Sequence, residues 1–126
     1  MNLTRNLLWT DCTAGAAVGV LVLALSGPLS DLHDLPRSVL VFTGVANLAY
    51  ASYSFSLARR ARRPRGRIRL LAVANMAWAP VCVALAAMHW TSASVFGQLH
   101  LLSEAVFVGG LGACEWSQQD RLLTAS

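Results

Sequence analysis

Residues 38–58, SVLVFTGVANLAYASYSFSLA, carry no charged side chain, and residues 59–69, RRARRPRGRIR, carry seven arginines. A helix rises ~1.5 Å per residue, so an uncharged run of about 20 residues crosses the ~30 Å hydrocarbon core of a bilayer. The wall of arginine that follows marks where such a run leaves the lipid. This junction sets the fold class, because nothing in a soluble domain requires 21 residues in succession without a charge.

Three more apolar runs repeat the length. The expected spans lie at about 7–25, 38–57, 70–88 and 94–116, with a basic loop at 58–69 dividing them two and two. Hydrophobic residues make up 56% of the chain, which leaves too few polar groups to give each helix the polar stripe of a soluble bundle. The expected architecture is all-α, a transmembrane four-helix bundle forming a single integral membrane domain over residues 1–126.

The formal charge of +4 comes entirely from arginine, since the chain has no lysine. Arg5, Arg121 and the seven arginines of the loop fall on one side of the expected spans, and Arg37 alone falls on the other. The positive-inside rule puts the loop and both termini in the cytoplasm and makes a bacterial inner membrane the expected location. An arginine run can also grip nucleic acid. Here its place between two spans is accounted for by topology and anionic lipid headgroups, so lipids and not nucleic acid are the expected partners. Arg5 before an apolar run and the sequence Ala24-Leu25-Ser26 give the first span some features of a signal peptide. Asp11 interrupts the apolar core such a peptide needs, and the run is read as a retained span.

The connections are short. Gly27, Pro28 and Pro36 make residues 26–37 an expected interfacial turn, and His89 to Ser92 make the third and fourth spans antiparallel neighbours, with Thr91 or Ser92 as cap. Trp9 and Trp116 fall at one interface and Trp90 at the other, where indole rings prefer to sit. Gly15 and Gly19 form a GxxxG, and Gly109, Gly110, Gly112 and Ala113 a second smooth patch. Both serve close packing inside one bundle, and the Gly15 and Gly19 face also suits a weak homodimer. Cys12, Cys82 and Cys114 form no C-x-x-C pair and are expected as free thiols within the spans.

Ionisable groups in lipid cost roughly 2.5–3.5 kcal/mol each at a helix centre, so each demands a reason. Glu104 lies near the middle of the fourth span with His100 one turn away, and Asn47, Asn75 and Trp78 reach similar depth on the second and third. These five residues are the expected ligand-binding or proton-relay site for a small solute or lipid headgroup, with Gln98, Tyr50 and Tyr53 as candidates to extend it. The competing reading makes them interhelical glue in a non-catalytic assembly subunit. Asp11 and Glu115 are expected as a shallower acidic pair, solvated or salt-bridged to nearby arginines. Asp31, His33 and Asp34 lack the ligand count of a metal site, and no cofactor is implied.

HExxH, GxSxG, a phosphate-binding glycine loop and paired cysteines are all absent, so no enzyme class is indicated. The stretches LLWTDCTAGAAVGVLVLALSGPLSDLHDLP (residues 7–36) and ANMAW (residues 74–78) resemble a group of small bacterial four-span integral membrane proteins. That resemblance covers nearly the whole chain and falls on Asp11, Gly19, Pro28, Leu35, Pro36, Asn75, Trp78 and Glu115. It implies the four-span architecture and brings no activity with it.

Overall fold

The computed structural model describes residues 3–124, with side chains from residue 6 onward. Six helices follow in order: α1 (Leu3–Ala24), α2 (Ser26–His33), α3 (Arg37–Ala58), α4 (Arg65–Met88), α5 (Val95–Ser117) and α6 (Gln119–Leu122). Four of them are long and apolar enough to cross a membrane, over Asn6–Ala24, Arg37–Ala58, Arg65–Met88 and Val95–Ser117. The side chains they turn outward are apolar as well, among them Leu21, Phe42, Leu70, Leu99 and Val106. A surface of this kind is a liability in water and matched to solvent in lipid. The chain is a multi-pass membrane protein, an all-α bundle of four spanning helices.

α1 runs along α3 and α4 runs along α5 in close contact, whereas the two hairpins so formed touch each other sparsely. Small residues make each hairpin tight. A Cβ on Gly19 would lie 2.7 Å from the Leu48 side chain and 3.0 Å from the Gly44 carbonyl oxygen, and one on Gly15 would lie 3.1 Å from the Asn47 carbonyl. Gly112 does the same for the second hairpin, where a Cβ would meet the Ala72 carbonyl at 2.6 Å. Without a hydrophobic drive between helices in lipid, this backbone approach supplies the dispersion and polar contact that hold them. Gly15 and Gly19 are thus seated against α3, and a homodimer through that face would have to displace α3. The other patch is divided, for Gly112 packs on α4 while Gly110 faces open space.

The connections differ from the turns expected. Residues 26–33 form the helix α2, because Gly27 and Pro28 fall in its first turn, where proline's missing N–H leaves no bond unmade. Asp34 then ends it in the left-handed conformation at φ 51°. The cap of α5 is Ser94 rather than Thr91 or Ser92: its Oγ accepts from Gly97 N at 3.2 Å and donates to the Leu32 carbonyl at 2.7 Å, pinning α2 to the start of α5. α4 begins at Arg65, five residues before the expected span, since Pro64 supplies an extended N-cap and nothing after it opposes a helix.

The arginine loop is only partly a solvent-facing surface. Arg63 turns inward, and its guanidinium donates to the carbonyls of Leu57 (2.7 Å), Ala58 (2.9 Å) and Leu122 (3.0 Å), closing the last turn of α3. Burial works against its charged form, which these three carbonyls offset. Arg65 pairs with Asp120 at 2.5 Å, and Arg69 donates to Gln119 at 2.7 Å while lying over the Trp116 ring. α6 is thereby folded back over the arginine-rich end of the bundle.

Replacing Gly19 by Leu puts a branched side chain where even a Cβ collides with Leu48 and Gly44. We expect a loss of about 1–3 kcal/mol in detergent stability, read as a lower thermal midpoint of the monomer. An unchanged midpoint with altered oligomeric state would place this face on the outside of the molecule instead.

Candidate functional site

Polar side chains from all four spanning helices converge between the two hairpins, and they do so at two levels. Toward the arginine-rich end, Asn75 of α4 donates through one amide nitrogen to Asp11 Oδ2 of α1 at 2.8 Å and to Glu115 Oε1 of α5 at 2.7 Å. All three side chains are buried, Glu115 completely. Asn75 has two amide hydrogens, and both are committed. Glu115 Oε2 is left without a donor, and the Asp11 carboxyl lies against it.

The sequence reading made Asp11 and Glu115 a shallow, solvated or salt-bridged pair, and the structure corrects this. Among the described residues neither forms a salt bridge to arginine, and the Arg5 side chain lies outside those described. The physical reason is the fold-back of α6 and the loop, which removes water from the last turns of α5. Asn75 then becomes the only donor either carboxyl meets in the side-chain hydrogen bonds among the described residues.

The second level lies deeper. Asn47 of α3 donates to Glu104 Oε1 of α5 and to its own helix at the Thr43 carbonyl, 2.8 Å away. Glu104 Oε2 has no hydrogen-bond partner; the His100 Nε2 atom stands 3.9 Å from it, and the Cys82 thiol is a further polar neighbour. Trp78 of α4 is 6% exposed, yet its indole Nε1 donates to nothing. The Trp78 ring is fixed by Phe42 and Tyr50, with centroids 5.5 and 6.0 Å away. Tyr50 in turn donates its hydroxyl to the Ala74 carbonyl at 2.9 Å.

These groups surround one cavity of about 390 Å³. Asn47, Asn75, Trp78, His100 and Glu104, the five residues expected from sequence, all line it, and Asp11 joins them. Asn75 reaches the cavity wall but spends its hydrogens on the lower carboxyls, so Glu104 is held by Asn47 and not by both amides. Of the candidate extensions, Tyr50 lines the cavity, Tyr53 donates outward to the Arg67 carbonyl, and Gln98 donates to the carbonyls of Ala86 and His89.

His33 was missed as a neighbour of this site. It is buried at the end of α2, its ring centroid 5.2 Å from that of His100, and its Nδ1 lacks a partner. Burial first, and the nearby His100 second, lower its pKa below the usual histidine value. His33, His100 and Glu104 therefore form a file of titratable side chains leading from the α2 end toward the cavity. No sequence spacing connects His33 to α5; the Ser94 cap and the close approach of Gly97 to the His33 carbonyl do. No family model, curated protein or solved structure matches this chain.

Asn75→Leu removes both hydrogens that hold Asp11 and Glu115 and strands two buried carboxyls. The expected cost is about 1–3 kcal/mol of detergent stability, with Asp11→Asn in the same background recovering part of it by removing one carboxylate. Equal melting of Asn75→Leu and the native chain would show that the lower cluster holds nothing together.

Proposed function

We propose that this protein binds a small solute or lipid headgroup in the cavity between its two hairpins, with the His33, His100 and Glu104 file as a proton relay to it. The observation that carries this reading is the pairing of two unsatisfied polar atoms, Glu104 Oε2 and Trp78 Nε1, on the wall of a single cavity. An acceptor and a donor buried without partners each cost about 1–3 kcal/mol, and a ligand offering one of each removes both costs. The cavity volume falls within the ~300–1,000 Å³ of small-ligand pockets. A relay that delivers a proton to Glu104 would couple occupancy to pH, which is the chemistry of proton-linked transport.

The second reading, an assembly subunit whose polar residues are interhelical glue, is favoured at the lower level by the Asn75 bridge. There every hydrogen of the donor is used, as glue requires. At the upper level Asn47 spends one of its two hydrogens on its own helix, and Glu104 Oε2 and Trp78 Nε1 hold nothing. The site and the glue are therefore assigned to different levels of one bundle.

The arginine asymmetry supports an orientation with the loop and both termini in the cytoplasm and, for a bacterial chain, residence in the inner membrane. Labelling of single cysteines at residues 61 and 91 tests it: only the second should react from outside, and the reverse pattern overturns the orientation.

Glu104→Gln separates the two functional readings. It keeps the acceptor for Asn47 and the volume, so thermal stability in detergent should change little. Native mass spectrometry should show a small-molecule adduct on the native chain that Glu104→Gln loses. A variant that melts early, beside a native chain that carries no adduct, leaves Glu104 as glue.

A further inference from the structure

Of the side-chain hydrogen bonds that cross between the hairpins, two join a spanning helix to the one that holds the same place in the other hairpin. Asn75 and Asp11 are 64 residues apart, and Glu104 and Asn47 are 57 apart. Shifting α1 by the first separation lays it on α4 with both helices ending together, Ala24 on Met88. Buried Leu8 and Val22 then coincide with buried Ala72 and Ala86. Shifting α3 by the second separation lays buried Leu40, Ala51, Ser54 and Ala58 on Gly97, Val108, Leu111 and Glu115, all buried. In this register the hairpins lie on one another running the same way through the membrane, the arrangement that a two-fold axis along its normal would generate.

That relation makes the α3–α4 seam and the α5–α1 seam equivalent, and their contents differ. In the first, Tyr50 and Tyr53 donate to the α4 carbonyls of Ala74 and Arg67, and Trp78 fills the space behind them. At the matching positions of the second stand Phe107, Gly110 and Ala14, which have no hydroxyl to donate and no indole to fill the gap. Ala14 and Phe107 line the cavity, and so does Ser103; Phe107 and Ser103 are also exposed on the outer face of α5, midway along the span. Above the Asp11–Glu115 level no hydrogen bond joins α1 to α5 among the described residues. The cavity therefore opens sideways, toward lipid, where the second copy's Trp78 has no equivalent in the first.

An opening at this depth admits molecules already dissolved in the bilayer. Inside, Asp11 and Glu104 place two carboxyl groups on the wall, and no arginine lines it. An anionic head would meet those two carboxyls with His100 as the one basic side chain on the wall. An amine donates to Glu104 Oε2 and rests against the Trp78 and Tyr50 rings, and a neighbouring hydroxyl oxygen accepts from Trp78 Nε1. Resting on the cavity-binding reading above, we propose that the cavity takes a single-chain amphiphile with an amino-alcohol head, entering laterally between α1 and α5 past Ala14.

The test is calorimetric titration of the purified protein in maltoside detergent with 2-amino-1-dodecanol, beside dodecanol and dodecanoic acid. The amino alcohol should bind at least about tenfold more tightly than either, and Glu104→Gln should remove that preference. Ala14→Trp, which copies the other seam, should keep or raise thermal stability and weaken amino-alcohol binding at least about tenfold. Ser103→Trp, on the exposed opposite lip, gives a second closure should Ala14→Trp not fold. Full binding to a folded, closed variant overturns the lateral entrance and leaves the cavity standing. Equal or tighter binding of dodecanoic acid, sensitive to Glu104→Gln, overturns the amine class alone. Heat from none of the three probes on the native chain overturns the binding reading itself.

Discussion

Within hydrocarbon there is no water to satisfy a polar atom, and this bundle is arranged around that scarcity of partners. Backbone groups are satisfied inside the helices, as any spanning segment requires. The side chains have a harder task, because Asp11, Asn47, Asn75, Glu104 and Glu115 are each costly in lipid and each must find a partner on another helix. Asn75 bridges two carboxyls from two other helices, and Asn47 holds a third. Those hydrogen bonds help to align the hairpins. Buried apolar clusters join them as well, one bringing Leu8 and Leu57 against Ile68 and Leu71 and another bringing Val22 and Leu40 against Ala86 and Leu101, so packing and hydrogen bonding set the register together.

Packing within each hairpin is of another kind. Gly15, Gly19 and Gly44 bring α1 and α3 together until a single Cβ no longer fits, and Gly112 does so for α4 and α5. Such contacts are short in range and unforgiving, so the hairpins behave as two stiff units. Stiff units joined by polar bridges near a central axis do not close over the space beside it. The cavity lies beside those bridges, in space that the apolar clusters shared by the hairpins leave unfilled. At the arginine-rich end the same logic changes its means. Arg63 abandons the lipid interface to satisfy three carbonyls, and α6 seals the end where the carboxyl pair would otherwise meet water.

The spans were legible because bilayer thickness writes itself directly into the length of an uncharged run, as in residues 38–58. That the five candidate residues share a depth was legible for a related reason: each is expensive where it lies, and depth along a span is countable. Depth counted from span ends failed for Asp11 and Glu115, since it ignores what folds over those ends, and α6 carries no hydrophobic signal in its four residues. The inward turn of Arg63 was hidden among identical neighbours. His33 was out of reach for a third reason. Its approach to His100 depends on a serine cap that joins α2 to α5 across 62 residues of sequence.

The relation between the hairpins also explains why the polar pairs are unlike. A true two-fold assembly would place two aspartates, or two glutamates, face to face across its axis, two acceptors with nothing to share. In a single chain the two halves are free to differ. One member of each pair is an amide, Asn75 opposite Asp11 and Asn47 opposite Glu104, so that each of these two carboxyls meets a donor. The difference runs in opposite directions in the two pairs, for the amide lies in the second copy at the lower level and in the first copy at the upper. Each half thus keeps one carboxyl of its own. The same freedom acts off the axis: one seam keeps a tryptophan and two tyrosine hydroxyls and is shut, while the other has alanine, phenylalanine and glycine and is open. A symmetric dimer would open both seams or neither, and the lateral mouth proposed above needs the two seams to differ.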